Sequence, residues 1–384
     1  MIGHGLAGSV LAHELQKRSL CFHVFDLPRT NAASIAAAGM VNPISLRRDV
    51  LTWRAPELLQ QATLTYASIE KELGQKLWHP IDLVKIFPTP HEADQWERAR
   101  KDPSTTEFLL PGSEENSIDG ITTPHGHGIV KGCGWLDLRS MLALQRERLI
   151  GNGDLSELSI EKEQFIPIDG GIAVGERSAP WLVHCTGPFA DVPGLVPVKG
   201  EVLTVKIPDQ RITHILHRKV FVLPIAGDRF RVGATYAWND VWSGPSTQAR
   251  EHLLDQLQAI VDRPIEVLER DDAGEYAFVW ATNAVVGEAS WDQSLAKGIL
   301  LVAVPVQRDD CVRGLQDALR RTVVLLECDH LRAREVALEL EDVADIGAAE
   351  RVDRLVVVAD HAQVPTGSGH EPCQAQLQRV RVLV

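Results

Sequence analysis

The chain has 384 residues, 45% of them hydrophobic, enough to bury a large core, and two interleaved domains are expected. A net charge of −13 and a pI near 5.5 argue against nucleic-acid binding, which relies on clustered Lys and Arg. No stretch nears the roughly 20 apolar residues of a membrane helix, there is no charged-then-apolar leader, and the six cysteines are scattered without a Cys-x-x-Cys pair; a cytoplasmic protein with reduced thiols and no membrane span is expected.

The first motif lies at the amino end. Ile2-Gly3-His4-Gly5-Leu6-Ala7-Gly8, read with Val10, Leu11, Ala12 and Leu15, is a Gly-x-Gly-x-x-Gly turn opening into a helix. Gly3 permits the tight turn and Gly5 lets a pyrophosphate approach the backbone. Gly8, helped by small Ala12, lets the helix pack close to a strand. Leu6 and Ala7 begin that helix, whose free N–H groups and partial positive charge favour phosphate. Leu20 to Phe25 reads as a short apolar strand ending at Asp26. That acid lies about 20 residues past the loop, where a Rossmann unit holds the adenosine ribose hydroxyls. A carboxylate there disfavours NADP. The competing reading is an ordinary Gly-rich turn, but helix, strand and acid in register favour dinucleotide binding. The strand before Gly3 is reduced to Met1-Ile2, although a Rossmann first strand usually sits mid-sheet. Either the true start is upstream or most of a central strand has been lost.

Asn31 to Pro43 is small and almost uncharged, and reads as an Ala-rich helix ended by Gly39 or as a second surface against the cofactor. After Arg47-Arg48, Pro56 to Leu73 has the spacing of an amphipathic helix, Ile81 to Phe87 that of a strand, and His91 to Arg100 reads as a charged surface helix. Residues 102–127 are polar and mostly loop. His125-Gly-His127 lacks a nearby carboxylate or thiol to complete a metal set, so no metal is expected. Gly128 to Leu136 reads as one strand, and Asp137 to Ile150 as a helix that Asp137 caps. Two short strands are expected around Asp169-Gly170-Gly171. An apolar strand from Trp181 then runs into Thr186-Gly187, at a strand end that suits a second approach to a dinucleotide. From Pro197 the pattern alternates: Glu201–Ile207, Val220–Pro224 and Phe230–Tyr236 predict an antiparallel sheet covered on one face, followed by a helix over Thr247–Val261.

Together, Gly3-His-Gly-Leu-Ala-Gly8, Asp26, the Ser34-to-Pro43 segment, His184-Cys-Thr-Gly187, Lys199-Gly-Glu-Val-Leu203 and Gly233-Ala-Thr-Tyr236 resemble the FAD-dependent D-amino-acid oxidase/glycine oxidase family over about residues 2–274. The resemblance implies an α/β (α+β) fold: a Rossmann-like FAD-binding domain with an interleaved substrate domain carrying a mixed or antiparallel sheet. It divides the chain into an FAD domain (1–50 and 125–190), a substrate domain (51–124 and 191–272) and a divergent region (273–384). It also implies hydride transfer from the α-carbon of an amine or amino acid to flavin, with reoxidation by oxygen or another acceptor. Gly3, Gly5, Leu6, Ala7, Gly8, Asp26, Ser34, Gly39, Met40, Thr186 and Gly187 would hold FAD. Tyr236 and Arg48 are candidates for substrate contact, with a core tyrosine and a surface arginine as the competing readings.

The resemblance fails at the carboxyl end. The family pattern calls for Ala-Gly-x-Arg-Pro, whose Arg often pairs with a substrate carboxylate; here Ala273-Gly274 runs into Glu275-Tyr276. Beyond Lys297 there is no further Lys, and beyond Trp291 no Phe, Tyr or Trp. Leu315–Leu340 can be drawn as helix and Leu355–Ala359 as strand, before a polar stretch around Pro365–Gln378. The expectation is a change of reading phase near residue 274, with a divergent native cap as the alternative. Two further readings stay open: a degenerate, inactive chain of this fold, and an NAD-dependent Rossmann dehydrogenase.

Overall fold

The computed structural model describes residues 1–112, 119–169, 171–189 and 195–268, with the backbone of the strands Tyr276–Asn283 and Val302–Pro305. Calls on Gly170, on Ala273 to Glu275 and on the helix and strand drawn beyond residue 305 lie outside the described residues. The chain groups into two compact units. The first takes residues 1–28, 146–196 and the strand at 302–305; the second takes residues 29–145 and 197–280. Ser34, Gly39, Met40, Arg48 and Tyr236 thus group with the second unit.

In the first unit, the dipeptide Met1-Ile2 is the middle of the sheet. Ile2 bridges Phe25 on one side and His184 on the other, both parallel. The supporting bonds are Ile2 N–H to Val183 O (2.8 Å), Cys185 N–H to Ile2 O (2.7 Å), Gly3 N–H to Phe25 O (2.9 Å) and Phe25 N–H to Met1 O (2.9 Å). Val24–Phe25 pairs onward with Leu155–Ser156, parallel, and Trp181–His184 with Val302–Pro305, antiparallel. The apolar run from Leu20 is a strand only at Val24–Phe25, because only that stretch meets two neighbours. Leu6–Lys17 forms the helix after the loop, buried from Ala7 to Leu15. Its Ala12 packs with Val24, Leu149 and Leu155. Glu14, buried in this helix, is held by Lys17 (3.2 Å) and Arg18 (2.5 Å), which keep its carboxyl below the usual range against the cost of burial. Ile166–Ile168, Gly171–Val174 and Arg177–Ala179 form a separate antiparallel sheet.

The second unit is built on a nine-stranded mixed sheet. Its order is Glu266–Val267, Leu195–Lys206, Arg229–Gly233, Val220–Ala226, Ile215–Arg218, Leu83–Ile86, His127–Val130 and Leu109–Pro111, with Tyr276–Asn283 also on Leu195–Lys206. Only Ile215–Arg218 with Leu83–Ile86 is parallel among its described pairings. Period-2 alternation gives each face its own core. Leu203, Val205, Ile207, Val222, Phe230 and Val232 pack with Leu253 and Leu257 of the helix Thr247–Gln258. Leu83, Ile215 and Leu223 face the other way and pack with Ala38, Ile44 and Trp96.

Three expected elements are corrected here. Gly128 to Leu136 is two strands, His127–Val130 and Gly134–Leu136, in different sheets; Gly132, at φ +75°, breaks the run. The Ala-rich helix is only Ala33–Ala36. Gly39 (φ +73°) then turns the chain so closely over Leu136 that a Cβ would overlap its carbonyl oxygen, which delivers Met40 to pair with Trp135. The strand expected to reach Tyr236 ends at Gly233.

One buried ion pair lies between Lys85 and Asp49 (2.5 Å), with Gln95 donating to the other carboxylate oxygen (3.1 Å). Burial nevertheless pushes the Asp49 carboxyl up. Removing one partner strands the other charge. Lys85→Met is expected to cost about 3–5 kcal/mol in chemical denaturation. Adding Asp49→Asn, which suits φ +56° at that position, is expected to recover most of the loss; no recovery would show that packing of the lysine stem is what matters.

Candidate functional site

The glycine loop is set by close approaches that leave no room for a methyl group. A Cβ on Gly8 would overlap the carbonyl oxygen of Gly3, and one on Gly3 (φ +100°) would overlap that of Cys185 and lie 3.3 Å from the Thr186 nitrogen. Helix, loop and the end of the Trp181–His184 strand are thereby fixed against one another. Gly5 is the N-cap of the helix and no side chain caps it, so the helix start has the polarity that favours an anion.

Asp26 lies at the end of Val24–Phe25 and turns back to the loop: its Oδ1 accepts the His4 N–H at 2.9 Å. Its Oδ2 is paired with Arg146, whose other terminal nitrogen donates to Glu157 (2.9 Å). Arg146 is the residue that sequence reading missed. It sits 120 positions away, on the exposed-looking part of a helix, and no local signal links it to Asp26.

Two polar atoms beside the loop are buried without a hydrogen-bond partner, Thr186 Oγ1 and His4 Nδ1. His4 Nε2 is 3.3 Å from Ser9 Oγ. Buried polar groups are nearly always paired, and these two are among ten such atoms in the described residues. Burial pushes the His4 imidazole down to about 4; Arg146 acts in the same sense and Asp26 opposes it. Cys185, between His184 and Thr186, is a buried free thiol pushed up to about 12 by burial, which leaves it unreactive.

The structure thus brings Gly3, Gly5, Leu6, Ala7, Gly8, Asp26, Thr186 and Gly187 into one unit. Of the second unit's candidates, Ser34 is in the short helix Ala33–Ala36 and Gly39-Met40 in the turn and strand after it. Arg48 is half-buried in the turn between Ile44–Ser45 and Val50–Leu51, not a plain surface arginine. Tyr236 is 53% exposed in the loop after Gly233. The Lys199-Gly-Glu201 motif is structural. Lys199 and Glu201 pair at 2.8 Å while buried, Lys199 donates to Ser243 and Gly244, and Glu201 accepts from Ser246. Among the described residues no group of three or more His, Cys, Asp or Glu could hold a metal ion, and no helix is long and apolar enough to cross a membrane.

A glycine turn between a central strand and a buried helix, with an acid closing the next strand, defines a dinucleotide-binding α/β protein. The chain belongs to the FAD-dependent oxidoreductase (DAO) family, whose model matches residues 1–303. The match runs past residue 274, where the sequence motifs end, and past Trp291; it takes in the start of the strand Val302–Pro305. Solved structures show the same fold at low identity. Glycine oxidase from Geobacillus kaustophilus has 17% identity over 84% of this chain and 93% of its own, with a TM-score of 0.58. For iminodiacetate oxidase from Chelativorans sp. BNC1 the figures are 16%, 78%, 85% and 0.56. For L-proline dehydrogenase from P. horikoshii they are 12%, 75%, 83% and 0.55.

The His4 environment sets a pH dependence. Its folded value of about 4 lies below the ordinary 6.5. Between the two, the unfolded chain binds a proton that the folded chain excludes. The contribution is present above pH 6.5 and lost as pH falls towards 4, on the order of 3 kcal/mol in all. His4→Gln, which keeps an amide near Ser9, is expected to flatten the stability curve between these pH values by about one proton. An unchanged slope in denaturation at pH 7, 6, 5 and 4 would place the acid sensitivity elsewhere.

Proposed function

We propose that this chain binds FAD and oxidises the C–N bond of an amino acid or related amine. The convergence of the glycine loop, Asp26 and the orphaned Thr186 hydroxyl in one unit carries the cofactor half of this reading. These groups fit a dinucleotide: the helix start receives the diphosphate, Thr186 Oγ1 and the Gly187 turn offer a second polar approach, and Asp26 accepts from the ribose. Ser34, Gly39 and Met40 remain candidates from the sequence motif. When bound, FAD supplies the two-electron acceptor for a hydride leaving the carbon next to nitrogen. The chain's residues hold and orient, so the reaction calls for no Ser/His/Asp triad or carboxylate pair. The amine half rests on the family and on the names of the fold's neighbours, a glycine oxidase, an iminodiacetate oxidase and a proline dehydrogenase. The imine leaving such a site hydrolyses in water.

The absorption spectrum of the purified chain, with and without added FAD, tests the cofactor. Asp26→Asn keeps an acceptor for the His4 N–H but removes the charge, and is expected to weaken FAD binding about 10-fold or more. Anaerobic addition of amines and amino acids is expected to bleach the flavin. A colourless protein that FAD does not reconstitute would favour the degenerate chain, and nicotinamide-driven turnover without flavin would favour the dehydrogenase.

A further inference from the structure

Two acids follow neighbouring strands of the first unit at the same level. Val24–Phe25 and Leu155–Ser156 pair in parallel with Phe25 opposite Ser156, so Asp26 and Glu157 come next on each side. The Asp26 N–H donates to Ser156 O at 3.1 Å, which carries the pairing one residue past the strand. Like charges placed side by side in this way repel. Arg146, on the helix Leu138–Gly151, joins them: one terminal nitrogen goes to Asp26 Oδ2 and the other to Glu157 Oε1 at 2.9 Å. Its fork is divided between two carboxylates instead of gripping one. All three residues belong to the first unit.

The three groups are held to different degrees. The Asp26 side chain is 16% exposed and that of Arg146 18%, whereas that of Glu157 is 50% exposed. Asp26 is tied to the glycine loop, because its other oxygen accepts the His4 N–H. Arginine has the most rotatable stem of the three, so it is the member that can change position. Its charge reaches the loop as well: after burial, Arg146 is the main influence lowering the His4 imidazole, and Asp26 opposes both. A hydroxyl that donates to Asp26 therefore meets an acid already engaged on both oxygens. Glu157 is where the guanidinium can stay when Asp26 is taken.

We infer that Arg146 sets the affinity for the nucleotide by competing with the ribose hydroxyls for Asp26, and that Glu157 retains the arginine when they bind. The inference rests on the proposed dinucleotide binding and adds the residue that tunes it. Arg146 is then a positioning residue: it acts on the cofactor through Asp26. A neutral hydroxyl makes a weaker bond to a carboxylate than a guanidinium does. The exchange is accessible because the cation keeps one carboxylate throughout. Removing Glu157 leaves Arg146 with Asp26 alone and makes its release costly. Removing Arg146 frees the acid for the ribose. The two substitutions act in opposite directions, whereas a purely structural bridge would be loosened alike by either.

The test uses the full chain with two probes, ADP and its dideoxy analogue, which lacks both ribose hydroxyls. Binding is measured by calorimetry, without recourse to turnover. The ratio of the two affinities reads the hydroxyl contacts and cancels the effect of a changed charge on the diphosphate. The parent chain is expected to prefer ADP about 10-fold. Arg146→Met is expected to widen that preference about 3- to 5-fold, and Glu157→Ala, at a half-exposed position, to narrow it about 2- to 3-fold. The double variant is expected to match Arg146→Met, because Glu157 acts only through the arginine. Arg146→Gln, which keeps a polar end on the stem, is expected to widen the preference too and serves where the methionine variant does not fold. A preference that is unchanged or narrowed without Arg146, or widened without Glu157, overturns the inference, as does a parent chain that binds both probes alike. A parent chain that binds neither probe overturns the dinucleotide reading itself.

Discussion

The close approach of three backbones, at Gly3, Gly8 and Cys185, is the constraint on which the first unit depends. Each glycine sits where a methyl group would overlap a carbonyl oxygen. The consequence is rigid placement. Ile2 is bonded to Val183 and Cys185 on one side while Met1 and Gly3 bond Phe25 on the other, and the buried helix starts directly from the turn. A sheet centre made from so few residues holds because every backbone group in it is paired. Thr186 and Asp26 inherit their positions from that pairing, since Asp26 directly follows one strand bonded to the same dipeptide and Thr186 lies two residues past the other.

The electrostatics around Asp26 follow from the same geometry. An acid that accepts from the loop backbone with one oxygen and pairs with Arg146 through the other is neutralised in place. Any further donor to Asp26 competes with Arg146 rather than with water. Glu157 gives the guanidinium a second anchor at 2.9 Å, so Asp26 can release an oxygen without leaving Arg146 without an anion. Substituting Asp26 therefore changes two things, the acceptor and the partner of a cation that is only 18% exposed. Asparagine separates them, because it keeps the acceptor.

Much of this was legible in the sequence where a local rule carries the information. The loop, its helix and Asp26 follow from spacing, and the alternation after Pro197 marks the sheet, but the expected one-sided cover is wrong because each face carries its own core. Boundaries were less legible. The break at Gly132 and the short run at Ala33–Ala36 are decided by which strand lies alongside, which spacing does not encode. Arg146 and the Lys85–Asp49 pair were not legible, because their partners lie 120 and 36 positions away. Arg231 left a faint signal, a charge interrupting the apolar positions Phe230 and Val232, but the face it occupies requires the register with Thr204.

The same strand shows how buried charge is held within the fold. Lys199 and Glu201 lie on the strand that carries Thr204, and both are buried. Their pairing is complete: the lysine ties Ser243 and Gly244, and the glutamate holds the Ser246 cap of the following helix. Nothing in that set is left over for a ligand. Thr204, three residues beyond Glu201, differs in that its buried hydroxyl has no hydrogen-bond partner. Since Glu201 and Thr204 are separated by an odd number of residues, they face opposite sides of the sheet. One side of this strand is closed by its own ion pair, and on the other the cross-strand partner of Thr204, Arg231, donates to Ala37 O.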